Sequence, residues 1–193
     1  MTDPVRPVID IVICSTRPGR LGPKIGAWMH AIAAARDDIT ARLVDIADFG
    51  LPMFDEPRHP RLGDYAHDHT RRWAASVWPL TVAFVAPEYN HGPTPALVNA
   101  LAFLGPEWAL KPAGFVSYGG RSGGLRAAQL TKPILSALKM YPVKNGVVIP
   151  MAKDHVVDGR FMGGADMDKE ASGLLDELAS MAAGLAPLRA GKG

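Results

Sequence analysis

The chain has 193 residues, 48% of them hydrophobic and 21% charged, enough apolar material for one compact core within the size of a single domain. Its 21 Lys and Arg against 19 Asp and Glu leave a net charge of +2, too balanced for a nucleic-acid-binding or membrane-surface protein. A single cysteine, Cys14, excludes an internal disulfide, a CxxC redox pair and a cysteine-rich zinc site, and fits a reducing, cytoplasmic setting.

The opening MTDPVRPV carries an acid and two prolines ahead of a short apolar run, so neither a signal peptide nor a membrane span is expected. That run, VIDIVIC (8–14), is β-branched and reads as a strand; a polar loop (15–22) follows, then a helix over 23–35. TARLVDI (40–46) alternates in polarity like a second strand. After a long Pro/His/Asp-rich loop to about Gly63, Asp64 is a plausible N-cap for a helix running towards Val77. LTVAFVA (80–86) is nearly all apolar, as expected of a strand covered on both faces. Residues 95–104 read as helix, 113–117 as a fourth strand, and 125–140 as a helix that Pro133 should kink or restart. Residues 143–150 give a fifth strand, and 168–185 a last helix with Leu174, Leu175, Leu178 and Met181 on one face. A Gly/Lys/Ala/Arg tail from about residue 187 reads as mobile, and 1–193 as one domain.

Five strands alternating with five helices predict an α/β fold, an open, doubly wound parallel sheet with helices on both faces. Ligands of such sheets bind at the carboxyl ends of the strands where the strand order reverses, which singles out the loops after strands one, three and four.

The first of these, S-T-R-P-G-R-L-G-P-K from Ser15, sets hydroxyls, two arginines and two glycines at a helix N-terminus, where free amides and the helix dipole favour an anion such as a phosphate monoester. It matches neither G-x-x-x-x-G-K-[ST] nor G-x-G-x-x-G, and an ordinary polar turn would look similar. The second, P-E-Y-N-H-G-P-T-P from Pro87, offers the ring of Tyr89 and the donors of Asn90 and His91 to a heterocycle, or is a turn fixed by proline. The third, S-Y-G-G-R-S-G-G from Ser117, lets backbone amides approach a ligand closely, as a flexible surface turn also would.

Taken together, STRPGRLGPKIGAW, PEYNHGPTPALVNAL and KPAGFVSYGGRSGGLRAAQL, in this order over about residues 8–150, resemble the NADPH-dependent FMN reductase family of flavodoxin-like proteins, with its quinone, azo-dye and chromate reductases. The resemblance implies the flavodoxin-like strand order 2-1-3-4-5 and the cofactors FMN and NADPH. It implies that Ser15, Arg17, Arg20, Leu21, Gly22 and Pro23 surround the FMN phosphate. Pro87, Glu88, Tyr89, Asn90, Ser117, Tyr118, Gly119, Gly120 and Gly123 would then line the isoalloxazine ring. Many relatives carry a lysine and an aspartate in the helix after PEYN, where this chain has Val98 and Ala102 or Phe103. The implied activity passes two electrons from NADPH or NADH, through FMN, to a small acceptor: a quinone, an azo compound, free flavin or a metal oxyanion. A homodimer or homotetramer is implied too. The alternative is a flavodoxin-type electron carrier that oxidises no pyridine nucleotide, although such carriers tend to be acidic.

Other residues read as structural. Cys14, at the end of an apolar strand, is expected to be an inert thiol. His67, Asp68 and His69 fall at a helical spacing that points the two histidines to different sides, against a metal site. Trp73 and Trp78 are expected to pack a core or a subunit contact, whereas Glu107 and Trp108 either pack or reach a neighbouring subunit's flavin.

Overall fold

The computed structural model describes residues 6–77 and 81–190; Trp78 and Leu80 lie outside them. Strands β1 (Val8–Ile13), β2 (Thr40–Asp45), β3 (Thr81–Pro87), β4 (Pro112–Tyr118) and β5 (Tyr141–Ile149) form one parallel sheet in the order β2-β1-β3-β4-β5, the expected 2-1-3-4-5. Both central strands β3 and β4 are buried along their whole length, and this is why β3 is a nearly unbroken apolar run, while the edge strand β2 keeps a half-exposed pattern.

Helices α1 (Gly22–Ala34) and α5 (Gly164–Ala190) cover one face, and α2 (Asp68–Val77), α3 (Pro95–Ala102) and α4 (Leu125–Ala137) the other. The period of two along the strands divides the core accordingly. Ile9 and Ile11 pack with Ile25, Met29, Leu174 and Leu178, whereas Val12, Val82 and Phe84 pack with Trp73, Leu101 and Trp108. Trp108 is wholly buried, donating its indole N–H to the Leu101 carbonyl at 3.1 Å. Glu107 accepts from the Tyr65 hydroxyl at 2.6 Å and the Gly105 amide at 3.2 Å. Both side chains therefore pack within the chain's own core. Trp73 also packs in the core, its ring edge-on to Trp108.

Three local expectations are corrected. Asp64 caps no helix: it pairs with Arg58, and α2 begins four residues later, the amides of Ala66 and His67 just ahead of it being satisfied by the Glu56 carboxylate at 2.8 and 3.1 Å. Pro133 does not restart α4, because it sits on the exposed side, where water can serve the carbonyl it leaves without a donor. Helix α5 is longer than 168–185 and stays helical through Pro187 and Arg189; Leu174, Leu175 and Leu178 are buried as expected, and Met181 half-buried. A hairpin of β6 (Val156–Val157) and β7 (Arg160–Phe161) precedes it, too short to leave an alternating pattern, and its sequence signal is the Asp158-Gly159 turn, with φ of 47° and 78°. Among the described residues no helix is long and apolar enough to cross a membrane.

Candidate functional site

Parallel pairing aligns Ile13 with Val85 and Pro87 with Tyr118, so the loops leaving β1, β3 and β4 emerge side by side. β2 and β3 flank β1 on opposite sides, which makes this the point where the strand order reverses.

The loop after β1 ends in a helix start with no cap of its own. Leu21, at the N-cap of α1, makes no side-chain capping bond, Pro23 occupies the first turn, and that turn holds no acid, so it remains receptive to an anion. Ser15 is buried, with its Oγ 3.2 Å from the Tyr118 hydroxyl. Gly22 is required by that pair, since a β-carbon there would stand 2.7 Å from Ser15 Oγ and 3.1 Å from the Tyr118 oxygen. The two arginines of the loop are in different situations. Arg20 donates to the Ser15 carbonyl and to the Asp45 carboxylate at the end of β2, the latter at 2.5 Å, so it braces the loop from within. Arg17 is exposed and lies over the Tyr89 ring, 5.9 Å from its centroid, joining the first loop to the second.

The second loop is a two-residue turn. Tyr89 and Gly92 exchange backbone hydrogen bonds of 3.0 and 2.9 Å, and Asn90 and His91 between them take φ of 49° and 67°, the left-handed pair that a tight hairpin turn needs. Thr94, which the sequence reading passed over, caps α3 by accepting the Leu97 amide at 3.1 Å and donates its hydroxyl to the Cys14 carbonyl at 2.6 Å, tying this loop to the first. Its signal was a threonine directly ahead of the helix-starting Pro95. Glu88 also has a position that sequence did not reveal. Its carboxylate accepts the Arg126 amide at 3.2 Å and the Arg126 guanidinium at 2.9 Å, so it serves the first turn of α4, whose N-cap Gly124 has no side chain to offer.

In the third loop the Ser117 hydroxyl donates to the Val147 carbonyl of β5. The Gly119 amide donates to Ile149 at 3.2 Å, and the Gly120 carbonyl accepts from Met151 and Gly123. Left-handed backbone belongs to Gly123 and Gly124, at φ of 59° and 83°, and not to Gly119 or Gly120. A β-carbon on Gly124 would come within 2.5 Å of the Tyr118 nitrogen, whereas one on Gly120 would meet open space. Gly120 thus borders room beside the loop, and Gly123 together with Gly124, the latter outside the predicted contacts, holds the turn.

Cys14 is buried and hydrogen-bonded to the Val12 carbonyl, and burial pushes its thiol well above the usual range, as an inert thiol requires. Burial also pushes the Tyr118 phenol up, so it remains protonated. His67 and His69 do not point to different sides: their rings stack at 5.1 Å, and both address Asp55. Helical spacing does not apply because His67 lies before α2 begins. Among the described residues no group of three or more potential ligands could hold a metal ion.

A family model described as NADPH-dependent FMN reductase matches residues 8–154. An NAD(P)H-dependent FMN reductase of Schizosaccharomyces pombe is 35% identical over 158 residues, 80% of this chain and 78% of that protein. One of a Nectria species is 33% identical over 151 residues, 75% of each. Among solved structures, the flavoenzyme NAD(P)H:(acceptor) oxidoreductase FerB of Paracoccus denitrificans superposes with a TM-score of 0.71 at 17% identity, covering 91% of this chain and 98% of that one. A Megasphaera elsdenii flavodoxin gives 0.53 at 14% identity, covering 86% and 96%. At these identities the two structures speak for the flavodoxin-like fold alone.

Proposed function

The chain belongs to the NADPH-dependent FMN reductase family, and from that premise we propose that it holds FMN across the ends of β1, β3 and β4 and uses it to pass electrons from NAD(P)H to a small acceptor. The observation that carries this reading is the meeting, at the point of strand reversal, of the uncapped start of α1 with the buried Ser15 hydroxyl and the exposed Arg17. A phosphate dianion is complementary to all three.

The residues fit the group. Ser15, Arg17 and the loop amides would take the phosphate, with Arg20 keeping the loop in shape through Asp45. The ring would lie between the Tyr89-Asn90 turn and the backbone of Gly119 and Gly120, where the open space at Gly120 leaves room for it. Glu88 would act at one remove, by fixing α4 against the second loop. When bound, FMN would supply two-electron chemistry, taking a hydride from NAD(P)H and passing two electrons on to a quinone, azo compound, free flavin or metal oxyanion. The protein's part is to bind, orient and tune, and no side-chain nucleophile is needed.

The setting is the cytoplasm, and the working form a homodimer or homotetramer. In support, Met53, Phe54 and Val98 expose apolar side chains on the segment after β2 and on α3, beside the site. Light scattering on the eluting protein would check this, and a monomer would end it.

The test is anaerobic titration of the FMN-loaded protein with NADPH and NADH. Bleaching of the flavin absorbance, reversed by a quinone, is expected. Protein that takes up no FMN would overturn the site, and protein that binds FMN but is not bleached would be an electron carrier instead.

A further inference from the structure

Ser15 and Tyr118 are 103 residues apart and form a buried hydroxyl pair, 1% and 5% exposed, with 3.2 Å between the oxygens. Each hydroxyl has one hydrogen, and one hydrogen bond joins them. Whichever way that bond runs, one hydrogen is left over, and among the described residues neither hydroxyl has another partner. That remaining hydrogen is available to an acceptor brought in by a ligand. The pair lies directly beneath the first turn of α1, as the close approach of both oxygens to a β-carbon placed on Gly22 shows. That turn is the uncapped helix start to which the anion was assigned above.

The two ends of the pair are held differently. Ser15 has its carbonyl fixed by Arg20, which leaves its hydroxyl to rotate about one bond at the loop. Tyr118 is anchored in β4, where its carbonyl takes the Glu88 amide at 3.0 Å, and its rigid ring delivers the hydroxyl to a set point under α1. From these observations, and resting on the FMN reading, we propose that Tyr118 is a positioning residue for the phosphate: its hydroxyl donates to Ser15 Oγ and so commits the Ser15 hydrogen to a phosphate oxygen. In this proposal the Tyr118 hydroxyl serves the phosphate side of the site, acting through Ser15.

The experiment compares FMN with riboflavin, which lacks the phosphate, by flavin fluorescence quenching on wild-type protein, Tyr118→Phe, Ser15→Ala and the double variant. Loss of a neutral hydrogen bond should weaken FMN binding by Tyr118→Phe about 3- to 10-fold, and loss of the phosphate contact by Ser15→Ala about 10- to 100-fold. Riboflavin affinity should stay unchanged in both. Because Tyr118 acts through Ser15, the double variant should bind FMN no more weakly than Ser15→Ala alone. If wild-type protein does not prefer FMN to riboflavin, the phosphate reading itself falls. If wild type prefers FMN and Tyr118→Phe keeps the full preference, or if the two losses add, only the positioning role falls. A second measurement needs no variant: in protein labelled at the tyrosine ζ carbons, FMN should shift the Tyr118 signal and riboflavin should not, and an equal response to both overturns the proposal.

Discussion

Glu88 looks in sequence like a residue facing the flavin, yet its carboxylate is turned to α4. Replacing it by alanine should therefore cost stability first. Two contributions are lost. The first is the acceptor for the Arg126 amide at a helix start whose N-cap is glycine, worth about 0.5–2 kcal/mol by analogy with N-cap removal. The second is the pair with the Arg126 guanidinium, worth about 0–1 kcal/mol because that side chain is 53% exposed. A sum near 2 kcal/mol corresponds to a melting temperature lowered by roughly 6 °C in a domain of this size. Thermal unfolding followed by circular dichroism measures it.

The dependence on pH has a definite sign. Burial alone would raise the Glu88 carboxyl, but hydrogen bonds from Ser122 and Arg126 outweigh it and hold the group below its ordinary value of 4.5. A group depressed on folding adds stability above its unfolded value and loses it as the pH falls through the folded one. The gap between wild type and Glu88→Ala should thus be constant through neutral pH and narrow only below 4.5. A Glu88→Ala protein with unchanged melting temperature but lost FMN would refute this reasoning and return the carboxylate to the ligand.

Three further outcomes follow from the same geometry. Gly124→Ala should be destabilised by roughly 2 kcal/mol or more, from left-handed strain and the contact with the Tyr118 nitrogen, and denaturant unfolding checks this; full stability would mean that the turn can relax. Gly120→Val should melt close to wild type, since its side chain enters open space, and yet purify colourless because it fills the room beside the ring, so a fully yellow variant would show that the ring lies elsewhere. Steady-state rates should give parallel double-reciprocal lines for NADPH and acceptor, which take turns at one exposed ring face beside Tyr89, whereas intersecting lines would require separate sites.

What sequence alone decided is the layering and the choice of strand-end loops as the candidate site. A strand covered on both faces is apolar throughout, as VAFVA is, and a parallel sheet needs the helices that the intervening periodicities supplied. Glycine, proline and hydroxyl residues at strand ends mark loops by local backbone chemistry, which is why three candidate loops are legible in the sequence. Sequence could not decide which polar groups are spent inside the fold. Arg20 and Arg17 read alike in sequence, and only the pairing of β2 with β1 brings Asp45 alongside the Arg20 guanidinium. Nor does the sequence show that the Glu88 carboxylate meets the uncapped start of α4, 38 residues on. The Ser15–Tyr118 pair exists only because β1 and β4, each beside β3, end at the same level. Side-chain hydrogen bonds reach only about 3 Å, so partners distant in sequence are chosen by the strand order and register, which the tertiary structure alone supplies.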